Sequence, residues 1–141
     1  MPTHKTFRKA EVFIVAAVLC AVSVMTVPKF SQADGDPRLD TLCEHLQQVR
    51  SQLSLYHLQH ERRWPELAAF AEQMTGRTNV RGTTDPADGP LTLGPYLDRI
   101  PDNPFTGGNA IDGGDWLYDE QTGRFTADDG GSTQGLLHGN L

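Results

Sequence analysis

Histidine and acidic side chains lie close together in one short stretch of the sequence. His57, His60 and Glu61 fall within a single helical turn, and side chains three or four positions apart on a helix can share a metal ion. The spacing is not that of an H-E-x-x-H zinc motif, and it places no third ligand. Histidines near a helix C-terminus, where the helix dipole favours positive charge, explain the pattern with fewer assumptions. We therefore predict two surface histidines and no metal site.

No stretch of the chain has the spacing of a catalytic motif. There is no phosphate-binding glycine loop, no G-x-S-x-G turn and no Cys–His pair placed by spacing. Residues 31–141 hold eight Arg, no Lys and seventeen Asp or Glu, a formal charge of −9. Such a surface argues against nucleic acid, whose phosphates need a basic patch. We predict a protein that is not an enzyme and has no nucleic-acid partner.

One carboxylate, Glu11, stands at the edge of a long apolar run. Residues 12–27 carry no charge, and as a helix they would be roughly 24 Å long, enough for a membrane span once flanking residues are added. The basic residues before the run place the N-terminus in the cytoplasm. A carboxylate beside such a run is costly and usually marks a function with a partner charge.

The same stretch also fits a cleaved secretory signal. Residues 1–9 would be its basic region, residues 12–27 its apolar region, and Ser31-Gln32-Ala33 a small-x-small cleavage site. Under this alternative, the mature protein would be a secreted or periplasmic binding module that begins at Asp34. Composition alone does not decide between the two interpretations.

A helix follows the apolar run. Asp36 and Pro37 have the residue types of an N-cap and a first-turn position. Apolar residues then recur at spacings of three and four, which predicts an amphipathic helix that ends near Arg63, before Trp64-Pro65. The residues of this apolar stripe are Leu39, Leu42, Leu46, Val49, Leu53 and Tyr56.

The C-terminal half is rich in turn residues. A short helix is predicted over residues 66–74, followed by an irregular loop over residues 78–94. Residues 116–126 predict a β-hairpin with Gly123 in its turn. A lone hairpin is marginally stable, so we expect it to pack on the helix through Trp116 and Phe125.

Three patches of the sequence together resemble a known family. Counted from Phe7 as the first position, Glu11 is the fifth and Pro28 the twenty-second, with the apolar run between them. This order resembles the N-terminus of type IV pilins and type II secretion pseudopilins. Residues 94–107, GPYLDRIPDNPFTG, are similar to a run in pseudopilins of the general secretion pathway protein G type, and the hairpin resembles the end of many pseudopilin-like proteins.

The resemblance implies an α+β fold of the pilin-like kind. An N-terminal membrane-spanning helix would be followed by the amphipathic helix and by a small head with a C-terminal β-hairpin. The implied divisions are a short leader over residues 1–6, a transmembrane and assembly helix over 7–33, and a periplasmic head over 36–129. The Gly-rich residues 130–141 predict a flexible tail.

The resemblance also implies which residues act. In the family, prepilin peptidase cuts before the Phe, and the Glu then pairs with the N-terminal amine of a neighbouring subunit. Here the assembly residues would be Phe7, Glu11 and Pro28, and the processing site would lie between Thr6 and Phe7. Thr6 stands where the family has Gly, and basic residues follow Phe7, so cleavage stays open. Without cleavage, Glu11 would pair with Arg8 or Lys9.

The function implied is that of a filament subunit. The chain would sit in the inner membrane, associate with itself, other pseudopilins and the secretion machinery, and support protein export. Major pseudopilins commonly hold calcium, and acidic side chains here supply oxygen ligands of the right type. No stretch matches a calcium-loop motif, so we predict no cofactor. The candidate oxygens are those of Asp112, Asp115, Asp128 and Asp129.

Overall fold

Residues 35–141 are the part of the chain that the structure, a computed structural model, describes. Two α-helices and four short strands, joined by 3₁₀ turns, make up this part. The strands pair as two separate antiparallel hairpins. The elements are helix α1 (Pro37–Gln59), helix α2 (Phe70–Thr75), and strands β1 (Trp116–Asp119), β2 (Arg124–Ala127), β3 (Ser132–Thr133) and β4 (Leu136–Leu137).

Helix α1 begins as predicted and ends earlier than predicted. The side chain of Asp36 accepts a hydrogen bond from the Arg38 amide at 3.0 Å, and Pro37 occupies the first turn. The last helical residue is Gln59, so the predicted end near Arg63 is wrong. The helix ends here because Glu61 and Arg62 adopt the left-handed backbone conformation, with φ of 54° and 62°, which an α-helix does not allow.

The core forms between one face of α1 and the first hairpin. The predicted stripe is buried from Leu42 to Tyr56, and Leu39 is partly buried at its end. Trp116 and Phe125 are both fully buried in the same cluster, which confirms the predicted packing of the hairpin on the helix. Helix α2 adds further apolar side chains to this cluster. The aromatic members of the cluster from outside α1 are Phe70, Tyr96, Trp116, Tyr118 and Phe125, and Met74 packs among them.

Two side-chain hydrogen bonds fix the first hairpin to the rest of the unit. The indole nitrogen of Trp116 donates to the carbonyl of Pro101 at 2.9 Å, and the hydroxyl of Tyr118 donates to the carbonyl of Pro65 at 2.9 Å. The predicted turn residue Gly123 has a φ of 71°. A Cβ atom at this position would lie only 2.5 Å from the ring of Trp64, so the turn needs glycine for space as well as for conformation.

The irregular loop over residues 78–94 is held by its own polar groups. Thr78 and Leu93 exchange backbone hydrogen bonds of 2.9 and 3.0 Å, which closes the loop at its base. The side chain of Asn79 accepts from the amides of Arg81 and Thr83. These hydrogen bonds satisfy backbone groups that a sheet would otherwise pair, so the loop has a defined conformation although it contains no strand.

The predicted fold class is corrected by the structure. Within residues 35–141, no helix is long and apolar enough to cross a membrane. Even the 23-residue α1 carries a charged face, which includes Asp40, Glu44 and Arg50. The described part is a small α+β unit, and the prediction of a membrane-spanning helix as part of the fold is wrong for it. The segment to which that helix was assigned, residues 7–33, lies outside the described residues.

The last twelve residues differ from the flexible tail that their composition suggests. They contain β3, β4 and a 3₁₀ turn, His138–Asn140. His138 is buried, and Leu141 packs against the core. The composition of this segment is polar and Gly-rich. The segment nevertheless packs against the rest of the unit, because the buried His138 contacts the ring of Phe105.

We predict that Leu46→Ala lowers the free energy of unfolding by about 2–5 kcal/mol, since it removes a fully buried side chain from the core. Leu58→Ala is the matched control on the same helix. Leu58 is 74% exposed, so the same truncation should change stability by less than about 0.5 kcal/mol. Denaturant unfolding of the full chain in mild detergent, followed by fluorescence of Trp64 and Trp116, measures both. Equal losses for the two variants would contradict the proposed core.

Candidate functional site

The residues assigned to assembly and processing do not fall in the described part of the chain. Thr6, Phe7, Glu11 and Pro28 lie outside residues 35–141, and their roles stay predictions from the sequence. Within residues 35–141, polar and titratable side chains meet at other places.

The histidine pair at the end of α1 is not a pair of surface residues. His60 is fully buried. Its Nδ1 lies 2.8 Å from the carbonyl of Tyr56, and its Nε2 lies 2.8 Å from the hydroxyl of Thr78. A carbonyl can only accept, so Nδ1 carries the proton and Nε2 accepts from Thr78. The prediction of a surface position is thus wrong for His60, while His57 is half-buried and stacks on Trp64.

The surroundings of His60 keep it neutral. Its ring stacks on Tyr56 with 3.6 Å between ring centroids. Burial lowers the pKa of His60 below its ordinary value of 6.5, because the imidazolium form loses its hydration. Burial likewise raises the pKa of Tyr56. Both ring nitrogens of His60 are engaged, and residues 35–141 contain no group of three His, Cys, Asp or Glu side chains that could hold a metal ion.

Acidic side chains in the C-terminal half act as hydrogen-bond acceptors for backbone amides. Asp112 accepts from the amide of Tyr118 at 3.0 Å, and Asp115 accepts from the amide of Ala110 at 2.8 Å. These bonds shape the turns beside the first hairpin. Two of the four carboxylates considered as calcium ligands, those of Asp112 and Asp115, are therefore engaged in separate local contacts.

A second buried histidine, His138, contacts a buried carboxylate. Its Nδ1 lies 2.9 Å from both carboxylate oxygens of Asp129, and its Nε2 lies 2.8 Å from the hydroxyl of Thr133. The side chains of His138 and Asp129 are 2% and 3% exposed. Burial pushes the pKa of Asp129 upward, but hydrogen bonds from the Gly131 amide and from His138 outweigh it and leave that pKa below 3.8.

Asp129, His138 and Thr133 share the order of groups found in hydrolytic triads, in which a carboxylate orients a histidine that activates a hydroxyl. A triad works only where substrate can reach the hydroxyl and the ring. Here the imidazole is buried and lies against the ring of Phe105, with 4.1 Å between centroids. What this arrangement does in the structure is hold residues 129–138 together.

The described unit also contains a groove of about 490 Å³. It runs between the 3₁₀ turn at Leu67–Ala69 and residues 98–111, and its walls mix apolar side chains with exposed polar ones. None of the three residues of the His138 cluster lines it. The groove therefore has room for a ligand, and it is separate from the His138 cluster.

Three of the polar residues in these clusters have no local sequence signal. Thr78 lies 18 positions from His60, and Asn103 lies 26 positions from Asp129, to which it donates at 3.4 Å. His138 stands in a stretch of Gly and polar residues with no periodicity. A histidine in such a stretch, with an acidic pair shortly before it, is the one signal that could have drawn attention to the cluster.

Comparison with models of known protein families, with curated proteins and with solved structures finds no match to this chain.

We predict that the free energy of unfolding falls as the pH is lowered from 7 through 6.5, since the unfolded chain takes up a proton that buried His60 resists. His60→Gln should be less stable than the wild type by about 1–3 kcal/mol at pH 7, because it breaks the bonds to Tyr56 and Thr78. The variant should lose less stability on acidification. Denaturant titrations between pH 7.5 and 5, at about half-unit steps, measure this difference.

Thr78→Ser keeps the hydroxyl that donates to His60 and serves as the control. It should retain the wild-type dependence on pH. If His60→Gln and the wild type lose stability in parallel as the pH falls, His60 is not the group whose protonation opposes folding.

Proposed function

We propose that the chain is a structural subunit of a type II secretion pseudopilus or of a type IV pilus-like filament, which supports protein export. It assembles through its N-terminal segment at the inner membrane, with residues 35–141 on the periplasmic side. Its partners are other copies of itself, other pseudopilins and the secretion machinery. The observation that carries the proposal is the order of Phe7, Glu11, the apolar run and Pro28.

The described unit supports a division into an assembly segment and a head. Residues 35–141 form a compact unit of their own, and its core is built around α1 and the first hairpin. Residues 94–107, which resemble the pseudopilin run, lie against this core through Tyr96, Leu97 and Ile100. The amides of Tyr96 and Leu97 both donate to the carbonyl of Met74 at 2.9 Å, which holds the start of the run on α2.

The charge of the chain suggests where cohesion between subunits comes from. Residues 31–141 have a formal charge of −9, and like charge opposes close contact between heads. In the proposed filament, attraction therefore comes mainly from the apolar N-terminal segment. Within it, Glu11 is a carboxylate that needs a partner, either the amine of a processed neighbour or the side chain of Arg8 or Lys9.

We predict that Glu11→Ala abolishes filament assembly while the head stays folded. Removing one partner of a buried ion pair costs about 3–5 kcal/mol, which corresponds to a loss of at least about a hundredfold in association. Filaments are counted by electron microscopy of cells that carry the secretion machinery, and the circular dichroism of the purified full chain checks the head. Ser23→Ala, a small change in the same apolar run, is the control and should assemble normally. Wild-type filaments from Glu11→Ala would refute the role of Glu11.

A secreted or periplasmic binding module, cleaved after Ala33, is the competing function. The two proposals differ in the N-terminus of the mature protein, which intact-mass and peptide mass spectrometry read directly. We predict a mature chain that begins at Phe7, or at Met1 if the leader is retained. A mature N-terminus at Asp34 would remove Glu11 from the protein and rule out the filament proposal.

A further inference from the structure

The first hairpin has two outer edges, and the edge of β1 is closed by its own loop. The amide of Trp116 donates to the carbonyl of Ala110, and the carbonyl of Trp116 accepts from the amide of Asp112 at 2.7 Å. The amide of Tyr118 donates to the side chain of Asp112. These bonds use the outward amide and carbonyl of Trp116 and the outward amide of Tyr118. Their partners lie within a few positions of the strand, so this edge is occupied by the loop that precedes it.

The outer edge of β2 is covered by a different segment. Phe125 lies opposite Tyr118 in the register; since the amide of Tyr118 points away from β2, the backbone groups of Phe125 also point outward, and so do those of Ala127 two positions on. The carbonyl of Phe125 accepts from Nε of Arg50 at 2.9 Å. Ala127 lies against the 3₁₀ turn, where the position of a Cβ on Gly139 would be 3.3 Å from the Ala127 carbonyl oxygen.

Arg50 connects the edge of β2 to the segment that covers it. Its Nη2 donates to the backbone oxygen of Leu141 at 2.7 Å, while its Nε holds Phe125. The guanidinium of Arg50 thus donates hydrogen bonds both to β2 and to residues 129–141, the covering segment. If the segment leaves, Arg50 loses its hydrogen bond to Leu141, one of the two bonds that hold its guanidinium at the strand edge.

The covering segment is attached by polar contacts and by one apolar side chain, Leu141, at its end. Leu136 and Leu137, its two large apolar residues before the last turn, are 52% and 56% exposed. The buried anchor is His138, through Asp129, Thr133 and the ring of Phe105. The hairpin β3–β4 has only two residues in each strand, and Gly130 has a φ of 63°, so the segment has little stability of its own.

We propose that strand β2 is an interaction surface covered by residues 129–141, and that release of this segment lets β2 pair edge to edge with β2 of a second copy of the chain. An uncovered strand edge presents unpaired amides and carbonyls that add a strand readily. A symmetric antiparallel pairing centred on Thr126 places the outward backbone groups of Phe125 opposite those of Ala127 in the second copy. The same register places Arg124 opposite the exposed Asp128, so opposite charges face each other. The surface uses no residue of the N-terminal segment and is independent of the proposed filament assembly.

The test is to release the cover by His138→Ala in the full chain in detergent, with Leu137→Ala as the control at the neighbouring exposed position. Hydrogen exchange at the Ala127 amide should rise at least about tenfold in His138→Ala, while the amides of Leu46 and Val49 stay protected. Leu137→Ala should exchange like the wild type. Should His138→Ala also deprotect Leu46, the milder Asp129→Asn, which weakens the same link, is measured in its place against the same outcomes.

Pairing between copies is measured with a spin label at Arg124→Cys, in a chain whose Cys20 and Cys43 are replaced by Ser. In this register the two label positions are offset by four residues, roughly 13 Å along strands that lie about 4.8 Å apart. The labels are then close enough for dipolar broadening. We expect broadening in His138→Ala, its loss on dilution with unlabelled chains, and its suppression by a synthetic peptide of residues 129–141. A released segment without broadening overturns the proposal. Equal broadening in the wild type and Leu137→Ala also overturns it, since the association would then use another surface.

Discussion

The burial of one apolar stripe on α1 is the constraint on which the described structure depends. Helix α1 leaves Leu42, Leu46 and Val49 in need of cover, and α2, with six residues, is too short to supply it. The first hairpin brings Trp116 and Phe125 to this stripe. A hairpin of this size is unstable alone, and an isolated amphipathic helix is marginal in water because its apolar face stays exposed. Each element therefore needs the other in order to fold.

Because so few residues belong to regular elements, backbone groups in the rest of the unit need other partners. Side chains of Asp and Asn supply them: Asp85 accepts from the amide of Ala87, Asn103 from that of Phe105, and Asp119 from that of Gln121. The acidic composition therefore has a structural use as well as a surface one. Part of the negative charge takes the place of the sheet and helix ladders that this small α+β unit lacks.

Local patterns in the sequence predicted the elements, whereas contacts between distant residues decided what the patterns missed. The start of α1 at Asp36 and the first hairpin follow from capping, periodicity and turn chemistry. The burial of His60 brings it to Thr78, which no spacing rule connects to it. The early end of α1 follows from the positive φ of Glu61 and Arg62, which no residue type in the sequence indicates. The predicted membrane-spanning helix does not belong to the described fold, and the assembly residue Glu11 stands outside it, so the candidate assembly site depends on sequence alone.

The described unit is held together by apolar packing in one place and by a polar link in another, and the two respond differently to the loss of a single side chain. Apolar burial holds α1 and the first hairpin together over many side chains, so no single group controls their separation. Residues 129–141 instead depend on a polar link in which His138 is the central group, and such links are cooperative and sensitive to the loss of one member. A segment held in this way can leave while the core stays folded. This polar, Gly-rich segment is consequently suited to a change of state, and it lies directly on the strand edge that such a change would uncover.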